Sequence, residues 1–143
     1  MWGINFSGTK KNKVQLKIFI VEDSKIFLQT LRLKLNQSFG ESAVIKGYTD
    51  SNTFLEEISE KPEIIIMDYY LGEESDFEGA ELVQKIKTIN PKAFLIVLTS
   101  EENLNIAKEC FALGANSYIV KNLASIDKIV AEIHYKINLF KKV

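Results

Sequence analysis

Cysteine is almost missing from this sequence. Cys110 stands alone, which excludes an internal disulfide and any cysteine-based zinc cluster and suits a reducing compartment. Histidine is as scarce: His134 is the only one, so a multi-histidine metal site is excluded. No apolar run approaches the roughly 20 residues that a membrane helix needs. Residues 1–13 lack the apolar stretch of a secretory signal. An excess of one charge sign is missing too. Acids and bases are interspersed at a net charge of −1, which gives no nucleic-acid or anionic-membrane surface. The one basic cluster, Lys10, Lys11 and Lys13, reads as a solvated tail. These absences together predict a cytoplasmic protein.

What is present is an ordinary globular balance. Of 143 residues, 46% are apolar and 26% charged, enough for one domain with a sizeable core. We expect residues 1–13 to be a flexible lead-in, although Trp2 and Phe6 offer docking groups, and residues 14–143 to form the domain. The organising stretch is Glu63-Ile64-Ile65-Ile66-Met67-Asp68, a β-branched run of strand length that ends in a carboxylate. Such runs, without alternation, suit a strand buried on both faces. Similar runs lie at 16–21, 43–48, 94–98 and 117–120.

Helical patterns separate the runs. Ser24 is a candidate cap for a helix to about Gln37 with Phe27, Leu28, Leu31 and Leu35 on one face, stopped by Gly40. Asp50 or Ser51 caps a second helix carrying Phe54, Leu55 and Ile58. A third places Leu82, Val83, Ile86 and Ile89 on one stripe and ends at Asn90-Pro91. The fourth runs from Leu104 to Leu113, with Gly114 as its stop. The last carries Ile126, Ile129, Val130, Ile133 and Ile137, with Lys136, Lys141 and Lys142 near its C-terminus, where cations are favoured. Five strands alternating with five helices predict an α/β fold: a doubly wound five-stranded parallel sheet, three-layered α/β/α.

Four of the strands end in charged or hydroxyl residues: Glu22 and Asp23, Asp68, Thr99 with Ser100, and Lys121. If the strands are parallel, these side chains gather at one edge of the sheet, where open α/β sheets place ligands. Three carboxylates so close require a compensating cation, and oxygen ligands without His or Cys point to Mg²⁺. With the Lys121 ammonium and the Thr99 hydroxyl, the set describes a site for a phosphoryl group attacked by a carboxylate. Each piece also has a plainer reading. Asp68 can start a turn, Glu22-Asp23-Ser24 can be helix N-terminal charge and capping, Thr99-Ser100 can be an N-cap, Tyr118 can be core packing and Lys121 a surface lysine. Only the conjunction favours the site.

The segments IFIVEDS, IIIMDYYLG, FLIVLTS and ANSYIVK, in this order, resemble the response-regulator receiver domain of two-component signalling (the CheY-like, flavodoxin-like fold). The resemblance spans roughly residues 14–141, and Thr99 lies nineteen positions before Tyr118, with Lys121 three after it. It implies that Asp68 accepts a phosphoryl group from a sensor histidine kinase or a histidine phosphotransfer protein. It implies that Glu22, Asp23, Asp68 and the Tyr70 backbone carbonyl hold Mg²⁺. Thr99 and Lys121 are then the hydroxyl and ammonium that meet the phosphoryl group, and Tyr118 is the aromatic that turns inward with Thr99. Signalling to a downstream protein would pass through the fourth helix, fifth strand and fifth helix, a surface that also allows a homodimer. If the sequence is a complete chain, we expect output by protein contact, without direct nucleic acid or membrane; a receiver cut from a longer regulator would read the same. The resemblance implies a phosphoacceptor and not an enzyme, with at most self-phosphotransfer and autodephosphorylation.

Departures from the family pattern are plain. Asn122 replaces the proline common after the lysine, in a cis bond, which leaves that loop's geometry open. The loop after Asp68 lacks its proline and is about three residues longer before Gly79; we expect its acids Glu73, Glu74, Asp76 and Glu78 to be solvated. Tyr70 and Glu101 occupy the positions that tune phosphoryl lifetime in the family, and Ser100 stands where a smaller residue is common. Two other readings stay open: a receiver-like interaction module that is not phosphorylated, and an aspartate-nucleophile phosphohydrolase of the haloacid-dehalogenase kind. The latter needs an acid/base Asp where this chain has Tyr70.

Overall fold

The computed structural model of the chain describes residues 15–141, with side chains to residue 139. The expected lead-in at 1–13, with its lysine cluster, and Lys142 lie outside the described residues. Five strands form one parallel sheet: β1 (Leu16–Val21), β2 (Ala43–Tyr48), β3 (Ile64–Asp68), β4 (Phe94–Thr99) and β5 (Ser117–Val120). Their spatial order is β2-β1-β3-β4-β5. Five helices alternate with them: α1 (Lys25–Phe39), α2 (Ser51–Glu57), α3 (Gly79–Ile89), α4 (Leu104–Ala112) and α5 (Ser125–Lys141). The doubly wound α/β/α architecture expected from the sequence is the one observed.

The unbroken apolar runs follow from helices on both faces. Along β3, Ile65 and Met67 point into one core with Phe19, Val21, Leu95 and Val97, closed by Phe54 of α2, Leu82, Val83 and Ile86 of α3, and Cys110 of α4. Ile64 and Ile66 point the other way, with Ile18, Ile20, Ile96 and Leu98, against Leu28, Leu31 and Leu35 of α1 and Ile129 and Ile133 of α5. Alternation along a strand thus selects the layer, and the strand residues of both layers are buried.

Helix starts and stops obey local chemistry. The Ser24 hydroxyl accepts from the Phe27 N–H at 3.3 Å, and the Asp50 carboxylate accepts from the Thr53 N–H at 2.7 Å. Gly40 ends α1 at a positive φ of 52°. One expectation changes, and one of the plainer readings is set aside. Ile89 is 46% exposed; at that end of α3 the buried group is Asn90, whose amide donates to the Pro62 carbonyl at 3.0 Å. The cap of α4 is Asn103, whose side chain accepts from the N–H groups of Asn105 and Ile106, so neither Thr99 nor Ser100 serves as that cap.

Strand order positions the site. β1 lies between β2 and β3, so the connections leaving β1 and β3 diverge and open a crevice at the carboxyl edge. Register brings the strand ends level: Val21 pairs with Met67, Asp68 with Leu98, and Thr99 with Val120.

Candidate functional site at the carboxyl edge of the sheet

Glu22 follows directly on β1, and Asp68 is the last residue of β3. Because Val21 and Met67 are partners, the next residues on both strands, Glu22 and Asp68, face one another at the crevice. Asp23 stands at its rim. Oxygens of Glu22, Asp23 and Asp68 all lie within 4.8 Å of one another. Glu22 is fully buried, Asp68 is 6% exposed, and Asp23 is exposed.

Lys121, the residue after β5, reaches across from the other side. The Lys121 N–H donates to the Thr99 carbonyl at 2.7 Å, extending the ladder by one rung. Its Nζ then lies 2.6 Å from Glu22 Oε1 and 3.1 Å from Asp68 Oδ2. The Phe27 ring lies 4.6 Å from this ammonium, a cation–π contact in a partly desolvated place. Phe27 reads in sequence only as part of an apolar helical face. Its position beside Lys121 depends on α1 and α5 packing on the same face of the sheet, which no local signal reports.

Burial dominates the electrostatics. It pushes the Glu22 carboxyl up to about 7, against the lowering pull of Lys121 and of the Ser24 N–H, which donates to Glu22 Oε2 at 3.0 Å. Burial also raises Asp68, with Lys121 opposing. For Lys121, burial works to lower the pKa, but Glu22 and Asp68 outweigh it and leave the ammonium above its usual value. With all three carboxylates ionised, the one ammonium would leave an excess of two negative charges, the charge of one divalent cation. Although Lys121 is close, Glu22 Oε1 is buried and accepts no hydrogen bond of good geometry. An all-oxygen set with an under-coordinated buried oxygen fits a hard ion such as Mg²⁺.

Thr99, the last residue of β4, is fully buried, and its Oγ1 accepts from the Glu101 N–H at 3.4 Å. Tyr118 packs its ring on the core that lies under α3 and α4. Its hydroxyl is out of solvent without a well-formed hydrogen bond; burial raises its pKa, with the Thr99 hydroxyl close enough to lower it in part. Tyr70 points outward, and its hydroxyl donates to Glu101 Oε1 at 2.8 Å, spanning the loops after β3 and β4. All the residues expected at the strand ends therefore lie at one edge of the sheet.

The loop from Gly72 to Glu78 is more ordered than its acidity suggests. The Ser51 N–H donates to Ser75 Oγ at 2.9 Å, and the Asp76 N–H to Asn52 Oδ1 at 3.0 Å, tying the loop to the start of α2. Glu73, Glu74 and Asp76 are exposed, as expected. Glu78 is exposed as well, but its carboxylate also accepts from the Leu71 and Gly72 N–H groups at 2.6 and 3.3 Å. After Lys121, every described peptide bond is trans. Asn122 Oδ1 accepts from the Ala124 N–H at 2.8 Å and the Asn122 carbonyl from the Ser125 hydroxyl at 2.8 Å, so a side-chain turn leads into α5 in place of the proline.

A family model of the response regulator receiver domain matches residues 18–134. The chain belongs to that family. Among curated proteins, this receiver is 25% identical over 124 residues to the uncharacterized transcriptional regulatory protein YesN of Bacillus subtilis, covering 82% of this chain and 33% of that protein. It is 27% identical over 125 residues to the sensory transduction protein LytR of Staphylococcus haemolyticus, covering 86% and 47%. The receiver thus spans about a third to a half of these relatives' own lengths. Among solved structures, a CheY-like receiver domain protein from Methanospirillum hungatei superposes with a TM-score of 0.75 at 23% identity, over 90% of this chain and 98% of that one. The response regulator DrrB of Thermotoga maritima gives 0.75 at 24%, over 87% and 54%. At such identities these structures speak to the fold.

Proposed function

We propose that this receiver is regulated by phosphorylation of Asp68, with the phosphoryl group drawn from a phosphohistidine on a sensor histidine kinase or histidine phosphotransfer protein. The observation that carries the reading is the meeting of Glu22, Asp23 and Asp68 within 4.8 Å, with Lys121 Nζ 3.1 Å from Asp68. An Asp68 oxygen attacks phosphorus, the P–N bond breaks, and the imidazole nitrogen leaves with the electron pair. Glu22, Asp23, Asp68 and the Tyr70 carbonyl would hold Mg²⁺, which when bound draws charge from the phosphoryl oxygens and screens the carboxylates from one another. Lys121 turns its ammonium from Asp68 Oδ2 to a phosphoryl oxygen, and the Thr99 hydroxyl donates to another. Desolvation near Glu22 and Asp68 strengthens each of these contacts.

Phosphorylation adds about −1.5 to −2 charges beside Thr99 and Lys121. Drawing Thr99 toward the phosphoryl group changes the packing around the Tyr118 hydroxyl, and so biases the α4–β5–α5 surface between two states. That surface carries exposed Leu104 and Phe111 on α4 and Tyr135 on α5, apolar groups suited to a downstream protein partner or to a second copy of the chain. We place the protein in the cytoplasm, where phosphohistidine donors act. Among the described residues no helix is long and apolar enough to cross a membrane.

Fluorine NMR with beryllofluoride tests this reading. Bound fluoride resonances should appear only with Mg²⁺ and vanish in Asp68→Asn. If the parent forms no adduct in saturating Mg²⁺, the receiver is an interaction module that works without phosphorylation.

A further inference from the structure

Between β3 and the loop that follows, successive peptide planes are held one by one. The Tyr69 N–H donates to the Leu98 carbonyl at 2.7 Å, and the Tyr69 carbonyl accepts from the Gly79 N–H at 2.9 Å. The next two N–H groups, of Leu71 and Gly72, converge on one oxygen of Glu78. Glu78 occupies the N-cap position of α3, yet its side chain makes no capping bond to that helix. Its carboxylate turns back to the loop instead. The 2.6 Å contact to Leu71 is short for an N–H donor, as charge-assisted bonds are.

A peptide unit is planar, so fixing the Leu71 N–H fixes the Tyr70 C=O, which points the opposite way in the same trans unit. Hydrogen bonding to the N–H also polarises that carbonyl and raises its donor strength. The held loop runs beside the carboxylates: a Cβ built on Gly72 would lie 3.8 Å from Asp23 Oδ2. Gly72 adopts φ 82° there, a backbone conformation that favours glycine.

We propose that Glu78 is a positioning residue: its carboxylate holds the Tyr70–Leu71 peptide so that the Tyr70 carbonyl serves as a ligand for the divalent cation. The inference rests on the metal-binding reading of Glu22, Asp23 and Asp68. It gives a role to one acid of the long loop and leaves Glu73, Glu74 and Asp76 outside it. Outer groups that orient a ligand typically change metal affinity by roughly 10- to 100-fold when removed.

Leu71 is the only leucine that follows a tyrosine in this sequence. Carbonyl-¹³C tyrosine with ¹⁵N leucine therefore gives a single carbonyl–amide correlation, which reports the Tyr70 oxygen and the Leu71 N–H together. Mg²⁺ titration, followed by calorimetry and by this signal, should move the Tyr70 carbonyl resonance in the parent. In Glu78→Ala we expect affinity to fall about ten-fold or more and the carbonyl response to shrink. Glu78→Gln, which keeps an acceptor, should restore most of both. Glu74→Gln removes one charge from the same loop and should bind Mg²⁺ as the parent does.

Parental affinity and carbonyl response in Glu78→Ala would overturn the inference while leaving the metal site in place. Equal losses in Glu78→Gln, Glu74→Gln and Glu78→Ala would reduce Glu78 to a long-range charge and overturn it as well. A parent that binds no Mg²⁺ at all would instead sink the metal-binding reading beneath it. Matching amide spectra in chelator separate these outcomes from a failure to fold.

Discussion

Glu22 is a fully buried carboxylate at the crevice, and its pH behaviour follows. Burial raises its carboxyl from an ordinary 4.5 to about 7. Between those values the folded chain holds a proton that the unfolded chain has lost, so metal-free stability falls as pH rises through the window and the loss is complete above it. Thermal unfolding in chelator should therefore show a midpoint that drops from about pH 5 to pH 8, and Glu22→Gln should flatten that slope. A midpoint that rises over the same range would contradict the assignment. Lys121→Ala should bind Mg²⁺ at least as well as the parent, because it removes a competing cation, yet its α4–β5–α5 resonances should respond little to beryllofluoride. At this scale the sequence was informative wherever a side chain ends an apolar strand: Glu22, Asp68, Thr99 and Lys121 are all found that way. Phe27 and Glu78 were not legible as site residues. The first meets Lys121 across 94 positions, and the second depends on how a longer loop folds back on itself.

The loop between β3 and α3 is the element in which sequence pattern and structure part company. Its acids are exposed, as their pattern suggests, but the loop is also anchored: Ser75 and the Asp76 N–H bind the start of α2, and Glu78 binds the loop's own backbone. Gly79 closes it at φ 59°, where an added Cβ would come within 3.1 Å of the Tyr69 ring. Gly79→Ala should therefore destabilise the fold by about 1–3 kcal/mol in urea unfolding, since a strained backbone and a contact with an aromatic ring act together. A change within a few tenths would mean that the loop relaxes freely. Strand boundaries were legible to within a residue because each apolar run is continuous and bounded by polar groups. Helix ends were harder. The start of α4 at Leu104 was legible, but at the end of α3 the helical stripe placed Ile89 inward, where Asn90 is the buried group.

Across the whole molecule, one sheet separates two apolar layers and presents every strand's carboxyl end at one edge. The alternation of runs and amphipathic helices made this arrangement legible, but not the strand order, which depends on which helices cover which face. The core around β3 carries the site mechanically. Ile66→Ala, fully buried between α1 and α5, should cost about 2–5 kcal/mol in urea unfolding while leaving the acid cluster's chemistry intact in the protein that stays folded. In the proposed function this architecture delivers a phosphoryl group to one carboxylate. Acetyl phosphate labelling followed by borohydride reduction and peptide mapping reads that carboxylate directly. A single Mg²⁺-dependent acyl phosphate is expected at Asp68, abolished by chelator and absent from Asp68→Asn. Labelling that persists in Asp68→Asn, or that maps to Glu22 or Asp23 in the parent, would contradict it.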